Sequence, residues 1–130
     1  MANTFSNTRF YRNLVHFACS RAYTSDVIKG RHCAIILDEN KNIISIFVNC
    51  FTCDGKSTVH AEAGAIQALK STGVQINKNH IMLVVRITIP GNITFSKPCF
   101  NCERKIKESG ISTCIYTTNV HNVLEVLNFN

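Results

Sequence analysis

Two short stretches of this 130-residue chain carry side chains that could do chemistry together: Val59-His60-Ala61-Glu62-Ala63 and Lys97-Pro98-Cys99-Phe100-Asn101-Cys102. The first offers an imidazole and a carboxylate, the second two thiols three positions apart. His60, Cys99 and Cys102 make a soft donor set that suits Zn2+, with Glu62 left over. Structural zinc sites are closed by four protein ligands, whereas catalytic ones keep a position open for water. No fourth protein ligand is evident, so the pattern points to a catalytic zinc site. Zinc lowers the pKa of its water from about 15.7 towards about 7, which provides hydroxide at neutral pH. Glu62 is then the natural proton carrier between that water and a substrate.

The elements that must position these groups follow from periodicity. Phe10, Leu14, Phe17 and Ala18 recur at helical spacing, which predicts a first helix from about Arg9 to about Tyr23 with this stripe in the core. The polar, Asn-rich Met1–Thr8 before it reads as frayed. His32–Leu37 and Ile43–Asn49 flank the turn cluster Asp38-Glu39-Asn40-Lys41-Asn42 and predict an antiparallel hairpin. A polar loop, Cys50–Thr58, leads to a helix from His60 to about Ser71, with Gly73 just past its end.

Ile81–Ile89 reads as a strand buried on both faces, broken by Pro90-Gly91-Asn92 and followed by an irregular loop up to Pro98. A third helix spans about Phe100 to Ser109, stopped by Gly110, and Ile111–Tyr116 is another short strand. Val120, Val123, Leu124 and Leu127 favour a terminal helix over Val120–Leu127. The resulting order, α-β-β-α-β-α-β-α, implies a single domain over residues 1–130, an α/β fold of three-layer α/β/α sandwich type with a mixed, about five-stranded central sheet.

In this reading both ligand groups stand where a helix begins after a loop. Unpaired N–H groups and the positive dipole end there favour thiolate over thiol at Cys99 and Cys102. One helical turn brings those two sulfurs to the same side. His60 and Glu62, two apart, would point away from each other on an ideal helix, so their convergence demands an irregular helix start.

Hydrophobic content of 45% and charged content of 17% describe an ordinary globular chain and exclude disorder and coiled coil. The apolar runs are too short to span a bilayer, and the Asn-rich start does not read as a signal peptide. Seven cysteines is an odd number, which argues against a disulfide framework and for reduced thiols in a cytoplasmic protein. Cys50 and Cys53 read as ordinary loop thiols. The net charge of +6 suggests attraction to something anionic, such as a nucleotide phosphate or nucleic acid, or else a solvated basic face.

His60-Ala61-Glu62 with Pro98-Cys99-Phe100-Asn101-Cys102 resembles the zinc-dependent cytidine and deoxycytidylate deaminase superfamily. The likeness extends through Ala63-Gly64-Ala65-Ile66, through Ile106, Ser109-Gly110-Ile111 and Tyr116, and back to the hairpin from Arg31 to Asn49. It implies the cytidine deaminase-like fold and hydrolytic deamination of a cytosine nucleoside or nucleotide, deoxycytidylate first. Zn2+ would sit on His60, Cys99 and Cys102, and Glu62 would protonate the ring nitrogen and then the departing amine. It further implies that Asn49 contacts sugar or base and that the Ala61 N–H meets the base carbonyl. Ser96 and Pro98 would flank carbonyls that hold the amine.

The same resemblance implies a homo-oligomer and a small-molecule nucleoside or nucleotide partner, with no membrane partner. Two other readings remain: a deaminase acting on a base within RNA or DNA, and a non-catalytic zinc-binding assembly protein. Two positions depart from the family pattern. Phe47 stands two residues before Asn49, where glycine is usual, and Gly64 stands where this branch often has Asn.

Overall fold

Residues 31–37 and 81–87 are nearly continuous apolar runs, and such strands need cover on both faces. The computed structural model, which describes residues 3–5 and 8–129, puts both at the centre of a sheet. The chain runs β1 (Asn3–Phe5), α1 (Arg9–Ala22), a 3-10 turn (Ile28–Gly30), β2 (Arg31–Leu37), β3 (Ile43–Val48), β4 (Cys50–Phe51) and β5 (Thr58–Val59). It continues α2 (Ala61–Ser71), β6 (Ile81–Ile87), β7 (Ile93–Thr94), α3 (Phe100–Ser109), β8 (Thr113–Thr117) and β9 (Leu124–Asn128).

The sheet order is β1-β9-β8-β6-β2-β3, with β7 added beside β6, and β4 pairs with β5 separately. β6 and β8 are parallel while their other pairings are antiparallel, so the sheet is mixed. Four of the five longer strands, β2, β3, β6 and β8, are the ones expected; β9 is added to them, with the short β1 and β7.

Side chains alternate across this sheet with period two. Cys33, Ile35 and Leu37 join Leu83, Val85 and Ile87 against α1, whereas Ala34 and Ile36 join Met82 and Val84 beneath α2 and α3. One helix on one face and two on the other give the α/β/α sandwich.

α1 opens on Thr8, whose hydroxyl accepts from the Tyr11 N–H. Its buried face is Tyr11, Leu14, Val15, Ala18, Cys19 and Ala22. This corrects the expected stripe: Phe17 is 45% exposed, because it falls past the edge of the arc those residues define. α3 stops at Gly110, whose φ of 107° needs a residue without a β-carbon.

Two expectations at the termini are overturned. The segment expected as a terminal helix contains strand β9, with Leu124 and Val126 turned towards α1 and Leu127 towards the other face. Residues Leu124 to Asn128 pair with β8, whose edge a helix would have left with unpaired N–H and C=O groups. Asn3–Phe5, expected to be frayed, pairs in turn with β9. Met1, Ala2, Ser6 and Asn7 of that expectation lie outside the described residues.

Candidate active site

Helices α2 and α3 cover the same face of the sheet, and their first turns meet. His60 is the N-cap of α2 (φ −68°, ψ 146°) and Cys99 the N-cap of α3 (φ −67°, ψ 167°), so both are extended rather than helical. The extended backbone at His60 supplies the irregular helix start that its spacing from Glu62 demanded. An N-cap side chain ordinarily accepts from an amide of the first turn. Neither His60 nor Cys99 does so, which leaves imidazole and thiol free for another ligand.

His60 Nδ1 lies 3.2 Å from Cys102 Sγ and 3.9 Å from Cys99 Sγ, across 42 and 39 residues of chain. Ligand atoms of all three residues lie within 4.8 Å of one another. One nitrogen and two sulfurs at that spacing fit a tetrahedral zinc ion with one position left for another group.

Glu62 stands in the first turn of α2 and is only 5% exposed. Burial raises its carboxyl above the usual range, opposed by its own backbone N–H and by His60. A carboxyl that holds protons more tightly than usual suits proton transfer near neutral pH. Cys102 corrects an expectation. Without metal, burial together with the charges of Glu62 and Cys99 pushes its thiol up to about 12, so desolvation outweighs the helix dipole. A metal ion must therefore displace the proton.

A cavity of about 290 Å³ opens over this cluster, lined by His60, Ala61, Glu62 and Cys99 together with His32, Asn49, Thr58 and Lys97. Asn49 is 6% exposed and firmly held. Its Oδ1 accepts from the His32 N–H and from Ser25 Oγ, both at 2.8 Å, and its Nδ2 donates to the Gly30 carbonyl at 2.6 Å. Ser25 Oγ also bonds the Asn49 carbonyl at 2.7 Å.

Ser96 and Pro98 are buried beside the cavity without lining it. The Ser96 hydroxyl donates to the Val84 carbonyl and accepts from the Thr117 N–H, both at 2.8 Å, which pins the loop before α3 to the middle of β6 and the end of β8. Lys97 between them reaches the cavity.

Sequence reasoning missed Ser25, His32 and Lys97. Ser25 lies just past the expected end of α1 and is buried, and a buried serine needs partners. In the sequence His32 stands only as the first residue of an expected hairpin strand. Burial, chiefly, with the charges of Arg86 and His60, holds its imidazole below the usual range, against the pull of the Gly30 carbonyl.

The model of the cytidine and deoxycytidylate deaminase zinc-binding region matches residues 7–118. The chain belongs to that family. Family membership makes it a zinc-dependent hydrolytic deaminase by class, and the His/Cys/Cys cluster is a fitting place for the metal. No curated protein matches its sequence.

Among solved structures, a cytidine deaminase from Burkholderia pseudomallei superposes with a TM-score of 0.70 at 15% identity, covering 92% of each chain. A cytidine deaminase from Mycobacterium tuberculosis gives 0.59 at 18% identity, covering 91% of this chain and 89% of that one. A dCMP deaminase from the cyanophage S-TIM5, solved with dCMP and dUMP, gives 0.59 at 17% identity, covering 85% and 80%. At these identities the likeness establishes the cytidine deaminase-like fold. No helix among the described residues is long and apolar enough to cross a membrane.

Proposed function

We propose that this deaminase acts on a cytosine nucleoside or nucleotide, deoxycytidylate first, at the cavity over His60, Glu62, Cys99 and Cys102. The observation that carries the reading is the meeting of two helix starts there, three soft ligands within 4.8 Å beside a buried carboxyl. His60, Cys99 and Cys102 would hold zinc, which when bound supplies Lewis acidity and acidifies water at neutral pH.

Glu62 takes the proton released by the attacking water. It passes that proton to the ring nitrogen beside the amine-bearing carbon, then takes the proton of the hydroxyl added there and gives it to the amine, which leaves as ammonia. The Ala61 N–H belongs to the unpaired first turn of α2 and can donate to the base carbonyl. Asn49 donates to the sugar, and carbonyls of the segment around Ser96 and Pro98 orient the amine. Lys97 is the one Lys or Arg among the lining residues, which favours a phosphorylated substrate.

Ammonia release from deoxycytidylate, cytidine, cytosine and guanine by the zinc-loaded protein tests this reading. Deoxycytidylate should be turned over best, and Glu62→Gln should lower the rate by roughly 10²–10⁴-fold while zinc content is unchanged. Absence of release from all four would remove it.

A second reading, a base within a single strand, is favoured by Phe100, which is 80% exposed immediately after Cys99. An exposed ring three positions along the chain from Lys97 is a combination that can stack a neighbouring base and hold its phosphate. Salt-sensitive binding to single strands supports that reading, and its absence at low salt discards it.

A further inference from the structure

Two cavity-lining residues, His32 and Asn49, share one anchor. The Gly30 carbonyl accepts from His32 Nδ1 at 2.7 Å and from Asn49 Nδ2 at 2.6 Å. A carbonyl can only accept, so Nδ1 carries the proton, and in the neutral ring Nε2 is a bare acceptor. Nε2 has no hydrogen-bond partner among the described residues. The one fully enclosed side-chain nitrogen or oxygen there without a partner is Arg86 Nε. His32 Nε2 therefore reaches open space, and the open space beside His32 is the cavity.

Asn49 complements it. Both bonds accepted by its Oδ1 are internal, and one Nδ2 hydrogen is held by Gly30, which leaves one N–H to give. Anchored to the same carbonyl, the two side chains offer one acceptor and one donor as neighbours. A hydroxyl matches that pair, because it accepts from one and donates to the other. A phosphate oxygen does not match, since it has no hydrogen for Nε2.

From this we infer that His32 is a specificity-determining residue, which accepts a hydrogen bond from a sugar hydroxyl of the substrate while Asn49 donates to the same oxygen. The inference rests on the deamination reading above. In a deoxynucleotide it selects the 3′-hydroxyl, the only free one, and leaves the phosphate to Lys97. In the competing reading His32 only braces the start of β2 through Gly30, with Nε2 facing water.

The test compares kcat/KM for deoxycytidylate and for its 3′-deoxy analogue in wild type, His32→Leu and His32→Gln. Wild type should prefer the hydroxylated substrate by roughly ten-fold or more. His32→Leu should bring the ratio down several-fold towards one, while His32→Gln, which keeps an acceptor, should retain part of it. Both rates come from the same variant, so losses of folded or zinc-loaded protein cancel in the ratio. A wild-type enzyme indifferent to the hydroxyl, or a preference that survives in His32→Leu, overturns the role of His32 and leaves deamination standing. No turnover of either substrate by zinc-loaded wild type overturns the deamination reading and this inference with it.

Discussion

The ring of Phe47 lies against the Cα of Gly64 and fills the space that any side chain at residue 64 would occupy. The two positions at which this chain departs from its family are therefore one feature. A bulky residue on β3, where glycine is usual, is accommodated by a glycine on α2, where a side chain is usual. The exchange keeps α2 close to the sheet, and with it the helix start that bears His60 and Glu62.

Gly64→Ala should destabilise the protein by about 1–3 kcal/mol through overpacking, although alanine is the better helix former. Adding Phe47→Ala should recover part of that loss, giving a non-additive pair in urea unfolding. A Gly64→Ala protein more stable than wild type would contradict the packing.

Because burial holds the His32 imidazole below its ordinary value of 6.5, the unfolded chain binds the proton first as pH falls. The stability that comes from keeping His32 neutral is fully present above 6.5 and is lost as pH falls from there towards the lowered folded value. The groups that set it are Arg86 and His60, with the Gly30 carbonyl opposing. Urea unfolding at a series of pH values should show this slope in wild type and a flatter one in His32→Gln. Equal slopes would remove His32 as its source.

Since burial pushes the metal-free Cys102 thiol up to about 12, zinc binding at neutral pH must expel its proton. Adding zinc to apoprotein in weak buffer should acidify the solution, and zinc affinity should fall as pH falls. Chelation should lower the melting temperature, since a ligand held at a thousand times its Kd contributes about 4 kcal/mol. Cys102→Ser should abolish the response. Zinc uptake without proton release would show that the thiol is already ionised.

Ser25 bonds both the carbonyl and the side chain of Asn49, and its Oγ in turn accepts from the Val27 N–H at 3.1 Å. Ser25→Ala strands these buried groups and should cost about 1–3 kcal/mol. With Asn49 less firmly held, KM should rise more than kcat falls. A variant with unchanged stability and KM would show that Gly30 and His32 suffice to place Asn49.

Much of the site was legible because metal ligation needs particular atoms. An imidazole, two thiols one turn apart and a carboxylate are rare together, and their capacity to ligate a metal follows from atom type alone. The helices were legible where spacing and stop signals agree, as at Gly110. The C-terminal segment was not. Val120, Val123, Leu124 and Leu127 fit a helical period as well as Leu124 and Val126 fit a strand. Nothing local shows that β8 has an edge in need of hydrogen bonds. The face of α1 was misjudged in the same way, because Phe17 sits one position outside an arc that only the sheet beneath defines.

By itself, then, the sequence determined the donor set, the class of metal and the order of elements from α1 to β8 apart from the short strands, since these depend on residue type and local period. Only the tertiary structure decided what surrounds the donors. The parallel pairing of β6 with β8 and the placing of α2 and α3 on one face bring together helix starts about forty residues apart. The same packing buries Glu62, ties Asn49 to Ser25 and turns His32 towards the cavity. Burial and hydrogen-bond partners come from chain segments distant in sequence, and so no local pattern encodes them.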